Sequence, residues 1–348
     1  MTVRIRELDA GSARAWDEFV RATPAATFFH RSAWAEVIRR SFGHPTYYVF
    51  AEQDGAITGV LPLARMKTLL FGDLLASTPY CVYGGSAAVT PEAAAALESY
   101  AIDLRAKLGA PALEFRRIEA EDPGWTGRSP LYFTFRKPIL AFDDDVKGME
   151  RNIPRKQRAE VRKGLNRFGL RSVSDSDTDR LHRLYAESVR NLGSPVFPRR
   201  YFRALAEAFP REHDVTTVLQ GDTPVAAVLN FHFREEVLPY YGGGTRAARG
   251  LSANDVMYWE VMRRAHRERG AKSFDFGRSK AGTGAFDYKK NWGFEPQQLH
   301  YCYRLADGAR IPENNPNNPK YKLFIAAWKR LPLPVANLLG PPLVRGLG

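Results

Sequence analysis

The residues of this chain best suited to chemistry lie close together in residues 272–294, KSFDFGRSKAGTGAFDYKKNWGF. Asp275, Tyr288 and Lys289 are types that hold, give or take protons, which is the work of general acids and bases. SFDF reads as a short strand, Gly277 breaks it, a polar glycine-bearing loop follows, and Tyr288 and Lys289 fall on a short helix that stops at Gly293. A buried strand that hands the chain to a loop and a helix is how α/β folds present reactive groups at a strand's carboxyl end. Taken alone, Lys289 also fits a surface lysine beside Lys290, and Asp275 a buried structural aspartate.

A second candidate lies just upstream. Residues 237–241 read as a strand that runs into GGGTRAARGLSAND and then a helix over about 253–269, with Ser252 and Asp255 at the spacing of a capping box. Free amides and the helix dipole favour anions at such a start, so Arg249, Gly250, Ser252 and Asn254 form a candidate phosphate cradle. A plain strand-to-helix connection with convenient glycines is the alternative. In the hairpin before it (215–220 and 225–233), Val225, Ala227, Leu229, Phe231 and Phe233 share one face and leave Asn230 and His232 on the other. His232 is then either a structural hydrogen-bonder or a functional group. Further upstream, KGMERNIPRKQRAEVRKGLNRFGLR carries Arg155, Arg158 and Arg162 at helical spacing, offset by only Glu150 and Glu160. It reads as a solvated helix face or as a phosphate contact.

The elements that must position these groups fall into two domains, since 348 residues exceed what one core usually holds. The first half alternates hairpins and helices. Strands are expected at 3–8 and 112–117, helices at 12–21 and 91–108, and a helix opening at TFFHRSAW and running to about Arg40. A hairpin pairs 47–52 with 56–63 about Asp54 and Gly55, with Pro62 ending its ladder, and a loop at 77–86 carries Tyr80 and Tyr83. A second unit is expected to begin near Ile139. The apolar and charged fractions, 44% and 26%, are those of a globular protein. Two distant cysteines, Cys81 and Cys302, argue against a disulfide framework and against a structural zinc, so no metal is expected. MTVRIRELDAG has no apolar run of signal-peptide length, and no stretch of eighteen apolar residues occurs, which points to a cytoplasmic chain. The net charge of +13 favours phosphate-rich partners: nucleic acid, a phosphorylated donor or an anionic membrane face.

The order of elements in the second unit resembles the GNAT acyltransferase fold, and DYKKNWGFEP is similar to the aromatic helix and GFE turn of that superfamily. With FDFG upstream and TFFHRSAW, GVLPL and YGG in the first half, residues 1–305 resemble the FemAB family, most closely its exosortase- and exopolysaccharide-associated branch. The resemblance implies an α/β (α+β) fold of two tandem GNAT-like domains, 1–138 and 139–305, each a mixed, mostly antiparallel sheet flanked by helices. It implies an acyl- or aminoacyltransferase that forms an amide on an amine of a glycan or lipid-linked glycan precursor of the cell envelope or an exopolysaccharide. The donor would be an acyl-CoA-type thioester or an aminoacyl-tRNA, with no bound cofactor. Lys289 and Tyr288 would then face the tetrahedral oxyanion, with Asp275 orienting Lys289 or receiving a proton. Tyr288 stands where the family more often has Phe, and resembles the tyrosine that protonates the leaving thiolate in simpler GNAT enzymes. Arg249, Arg278 and Lys280 would hold donor phosphates, and Tyr80, Tyr83, Asn230 and His232 would line an acceptor cleft between the domains. The tRNA-binding coiled-coil insertion of some members has no counterpart here.

Residues 306–348 change character: a Pro/Asn-rich linker leads to LFIAAWKRLPLPVANLLGPPLVRGLG, which is apolar, basic and free of acids. It reads as an interfacial anchor making peripheral contact with a membrane, or as a segment packed back on the first domain; Pro332, Pro334, Pro341 and Pro342 forbid a spanning helix. The rival to an enzyme is a non-catalytic GNAT-like protein that binds RNA or scaffolds polysaccharide assembly.

Overall fold

A computed structural model describes residues 2–119, 124–127, 130–311 and 322–347. The Pro/Asn-rich linker, from Pro312 to Tyr321, lies outside the described residues. The chain divides into two compact units.

The first unit contains β1 (Arg4–Glu7), α1 (Ala13–Ala22), α2 (Trp34–Phe42), β2 (Thr46–Gln53), β3 (Ala56–Thr68), β4 (Gly72–Ser77), β5 (Ala87–Ala88), α3 (Pro91–Lys107), β6 (Ala112–Arg117) and β7 (Thr126–Gly127). Asp54 and Gly55, both with positive φ (51° and 79°), close the β2–β3 hairpin, because a turn of that hand matches the twist of its strands. Pro62 does not end the ladder as expected. It sits opposite Tyr48, its missing N–H costs no ladder bond there, and its carbonyl accepts the Thr78 N–H at 3.3 Å, so β3 runs on to Thr68. TFFHRSAW opens with a 3₁₀ turn, Phe28–His30, before α2. Helix α3 starts where the Thr90 hydroxyl accepts the Ala93 N–H, with Pro91 in its first turn. Its Leu97, Ala101 and Leu104 enter a core with Leu61, Leu63, Leu75, Leu113 and Phe115.

The second unit contains β8 (Tyr132–Pro138), α4 (Asp145–Asn152), α5 (Arg155–Arg162), β9 (Leu170–Asp175), α6 (Thr178–Leu192), α7 (Arg199–Ala208), β10 (His213–Gln220), β11 (Thr223–Phe233), β12 (Glu236–Gly244), α8 (Ala253–Arg269), β13 (Ser273–Asp275), β14 (Ser279–Lys280), α9 (Gly284–Asn291) and β15 (Pro296–Gln298). Its core gathers Phe135, Phe142, Trp259, Phe274, Phe276, Trp292 and Phe294 around α8. β16 (His300–Leu305) returns to the first sheet, and α10 (Lys322–Trp328) and α11 (Leu333–Val344) follow.

The sheets run β1-β2-β3-β4-β6-β16-β7, with β5 on β3, and β14-β8-β13-β12-β11-β10-β9, with β15 on β8. β4–β6 and β12–β13 are parallel, and the other described pairings are antiparallel. These are two mixed, mostly antiparallel sheets flanked by helices, the α/β arrangement expected. The boundaries differ from the expected ones. β8, assigned by sequence to the first unit, pairs with β13 in the second, and β16, assigned to the second, pairs with β6 in the first. Each of these strands covers the open edge of the short parallel strand beside it, where unpaired backbone groups would otherwise face solvent.

Candidate active site

The two parallel strands of the second sheet stay together only at Glu236–Ser273 and Val237–Phe274. Beyond that, β12 continues along β11 to Gly244, while β13 stops at Asp275 and the chain turns at Gly277, where φ is 66°. The carboxyl ends of the pair therefore part, which is where α/β sheets accommodate ligands. Past the last pair the β11–β12 register slips: Leu229 faces Tyr241 and Asn230 faces Pro239, so Tyr240 is a bulge residue. Sequence reasoning missed this bulge, although a proline inside a strand was a signal for it.

The glycine run belongs to the strand rather than to an anion-binding loop. A Cβ on Gly243 would lie 2.8 Å from Ser188 Cβ and 2.8 Å from Tyr185 Cα, so Gly243 lets α6 approach β12 closely, while Gly244 makes room for Ala248 of the following turn, 2.8 Å from its own added Cβ. The candidate cradle shrinks to residues 245–252. Arg246–Arg249 form a 3₁₀ turn, and Arg249 and Gly250 are exposed. The expected capping box is absent, because Ser252 adopts a left-handed conformation (φ 57°) and its hydroxyl donates to Glu160 Oε2 at 2.5 Å. The first-turn amides of Ala253 and Asn254 then have no carbonyl partner within the helix. Helix α5, which carries Glu160, presents exposed Arg155, Lys156 and Arg162 on this side chain-rich stretch, while its N-cap Pro154 abuts Gly293 after α9.

Freed from capping, the half-buried Asp255 carboxylate receives the Tyr288 hydroxyl at 3.0 Å and the Trp292 indole N–H at 3.1 Å, both on Oδ1. Burial pushes this carboxyl up from the usual carboxylate range, and burial together with the Asp255 charge holds the Tyr288 phenol well above its ordinary value. Helix α9 is started by Thr283, whose hydroxyl accepts the Phe286 N–H.

Lys289 is one residue further on and so points about 100° away around the helix. It is 8% exposed. Its Nζ donates to the carbonyls of Gly277 (2.9 Å) and Arg278 (3.0 Å), and lies between the rings of Phe135 and Phe276. Burial lowers its pKa to about 7, against the pull of Asp275 and with a smaller push from Arg278. The expected pairing of Tyr288 with Lys289 thus resolves into two environments, one at the start of α8 and one at the loop after β13. Asp275 is buried; its Oδ1 accepts the Gly277 N–H at 2.8 Å and its Oδ2 lies 3.8 Å from Arg136 Nε. Glu236, which sequence reasoning passed over, also binds Arg136, and burial with the Asp275 charge pushes it up to about 7. Arg278 and Lys280 both lie against the Tyr132 ring at the β14 edge.

Asn230 and His232 do not join this group. They line a narrow pocket with Asp214, Thr216, Ala265 and Arg269, against the last turns of α8. Ala265 is ten residues beyond Asp255, about 15 Å along the helix. His232 Nε2 bonds Asp214 Oδ2 at 2.6 Å, and Asn230 Nδ2 donates to Asp214 and Thr216. Tyr80 and Tyr83 belong to the first unit and are buried there: the Tyr80 hydroxyl donates to the Arg345 carbonyl at 2.7 Å, and the Tyr83 carbonyl accepts the Thr78 hydroxyl at 2.6 Å. Among the described residues no cluster of His, Cys, Asp and Glu has the makings of a metal site.

Residues 149–290 match the family model described as acetyltransferase (GNAT) domain. A comparison with curated proteins returned no match. Among solved structures the chain is similar to FemX (16% identity, covering 86% of this chain and 96% of that one, TM-score 0.66). It is also similar to a tandem GNAT protein from the clavulanic acid biosynthesis pathway (12% identity, 87% and 98% covered, TM-score 0.55) and to L-PGS from Bacillus licheniformis (14% identity, 93% and 97% covered, TM-score 0.54). At these identities the likeness is one of fold. The domain match and the tandem GNAT architecture together support an acyltransferase.

Proposed function

We propose that the second unit transfers an acyl or aminoacyl group from a phosphate-bearing donor to an amine, forming an amide. The observation that carries this reading is the Tyr288–Asp255 hydrogen bond, which ties the helix bearing Lys289 to the first turn of α8, the end of a helix whose dipole favours a donor's phosphates. Arg249, Gly250, Ser252 and Asn254 frame that turn, and Arg278 and Lys280 offer a second cationic group.

In this scheme the amine nitrogen attacks the acyl carbon, the carbonyl oxygen takes the negative charge, and the new nitrogen carries one proton too many. Neutral Lys289, with two N–H bonds committed to carbonyls, has its lone pair left to take that proton. It becomes an ammonium beside the oxyanion, which it stabilises. Collapse expels the donor's thiolate or ribose oxygen, and Tyr288, held protonated, is the proton source for it. Asp275 offsets the desolvation of Lys289 and fixes the Gly277 turn.

The resemblance to the FemAB family favours an aminoacyl-tRNA donor, and the fold likeness to the clavulanic acid tandem GNAT protein, whose structure is described as one without AcCoA, favours acyl-CoA. The acceptor in the reading we favour is an amine of a cell-envelope or exopolysaccharide precursor, met on the cytoplasmic face, as in the exosortase-associated FemAB-like branch. The rival reading, a non-catalytic scaffold, draws on the burial of Lys289 and its two carbonyl bonds. Incubation with acyl-CoA or charged tRNA and a panel of amino sugars, with products read by mass spectrometry, separates the two. Amide product that disappears in Lys289→Met supports the enzyme. RNA binding without product from either donor supports the scaffold.

A further inference from the structure

Helices α10 and α11 are apolar on two sides. Their inner side is packed on the second unit: Trp328, Ala336 and Gly340 are buried, a Cβ on Gly193 at the end of α6 would lie 2.5 Å from Ile325 Cγ2, and Arg190 donates to the Lys329 carbonyl at 3.3 Å. That packing accounts for the buried set and leaves the rest unexplained. Leu323 is 84% exposed and Leu338 76%, with Phe324, Val335 and Leu339 also open to solvent. Val335, Leu338, Leu339 and Pro342 follow one another at i, i+3, i+4 and i+7, so they make a single outward stripe on α11. An apolar helix face turned to solvent marks an interaction surface.

Charge identifies the occupant. Lys322, Lys329 and Arg330 are exposed on the same segment, and no Asp or Glu occurs after Glu313. Among the described residues no helix is long and apolar enough to cross a bilayer, so the segment would lie along a surface. Apolar side chains entering the acyl boundary, with lysine and arginine at the headgroups and no acid to repel them, is the chemistry of attachment to an anionic lipid surface. A protein partner reading the same face would more often be met with mixed charge at the rim. We propose that the outer face of α10 and α11 is a peripheral membrane-binding surface specific for anionic lipid. It places the chain at a bilayer independently of the acyl-transfer chemistry.

The test is co-sedimentation of the full chain with vesicles of phosphatidylcholine alone and of phosphatidylcholine with 30% phosphatidylglycerol, at ~0.15 M salt where exposed charges are already partly screened. Binding to the anionic vesicles at least tenfold tighter than to the neutral ones is expected, weakening as salt is raised. Leu323→Ser/Leu338→Ser/Leu339→Ser, all at exposed positions, should lose at least tenfold in affinity while keeping the wild-type thermal midpoint. Lys322→Gln/Arg330→Gln should narrow the preference for anionic vesicles. No binding to either vesicle, or binding that the leucine variant leaves unchanged, overturns the proposal. So does a concentration-dependent dimer that the leucine variant abolishes, which would make the face a contact between copies of this chain. Because the readout is vesicle binding, it stands or falls apart from any turnover measurement.

Discussion

The Tyr288 hydroxyl and the Asp255 carboxylate, 33 residues apart in sequence, meet at 3.0 Å and join helix α9 to the first turn of α8. The same carboxylate oxygen takes the Trp292 indole proton, so Asp255 spends on α9 the acceptor that a helix start would ordinarily use on its own amides. Capping by the Ser252 side chain is given up, and Asp255 serves a tertiary link.

Tyr288→Phe removes the hydroxyl and keeps the ring contacts with Tyr258, Phe276 and Trp292. Asp255 keeps one donor, so the expected loss of stability is about 1 kcal/mol, the net worth of a single hydrogen bond. Loss of a general acid should lower kcat by about 10² to 10⁴. Urea denaturation and steady-state kinetics on one preparation check both, and a variant with full turnover removes Tyr288 from the chemistry.

Gly243→Ala probes the reassigned glycine run. The new methyl would meet the backbone of α6 as well as Ser188, and backbone does not step aside as a side-chain end does. Overpacking of this kind costs roughly 1–3 kcal/mol, measurable as a lower thermal midpoint with donor affinity unchanged. A variant of normal stability that binds donor poorly would return the glycines to the cradle.

Glu236 sets a pH dependence of stability. Its folded-state pKa is raised to about 7, so between the unfolded value and 7 the folded state holds the extra proton. The stabilisation is complete at acid pH and is lost as pH rises through 7. Glu236→Gln should flatten that decline, gaining on the order of 2 kcal/mol relative to wild type between pH 5 and pH 8. Parallel stability curves for the two proteins would show that Arg136 neutralises Glu236 fully.

Much of the fold was legible because local pattern decides it. The limits of α8, the Asp54–Gly55 hairpin and the Pro91 start of α3 follow from periodicity, turn residues and caps, each read within a few residues. What could not be read is non-local. Nothing in the composition of β8 or β16 says which sheet each will complete, since both edges on offer are alike. Ser252 and Asp255 have capping spacing, and only the arrival of Tyr288, Trp292 and Glu160 from elsewhere diverts them. The glycine run was ambiguous for a related reason: close helix packing and anion binding both call for a missing Cβ. Lys289 beside Lys290 looks like a solvated pair, and its burial comes from Phe135 and Phe276, which lie on two separate strands or their ends.

In the proposed reaction Lys289, with its pKa lowered to about 7, takes the proton from the attacking amine. The most direct measurement is the pH dependence of kcat/KM for the donor, with the neutral acceptor amine saturating at every pH so that its own ionisation stays out of the profile, repeated with acceptors of different basicity. A rise to a plateau with a limb at about 7 that stays in place as the acceptor changes is expected, with no turnover in a folded Lys289→Met variant. A profile that falls above 7, a limb that moves with the acceptor's own pKa, or full activity in Lys289→Met would contradict it.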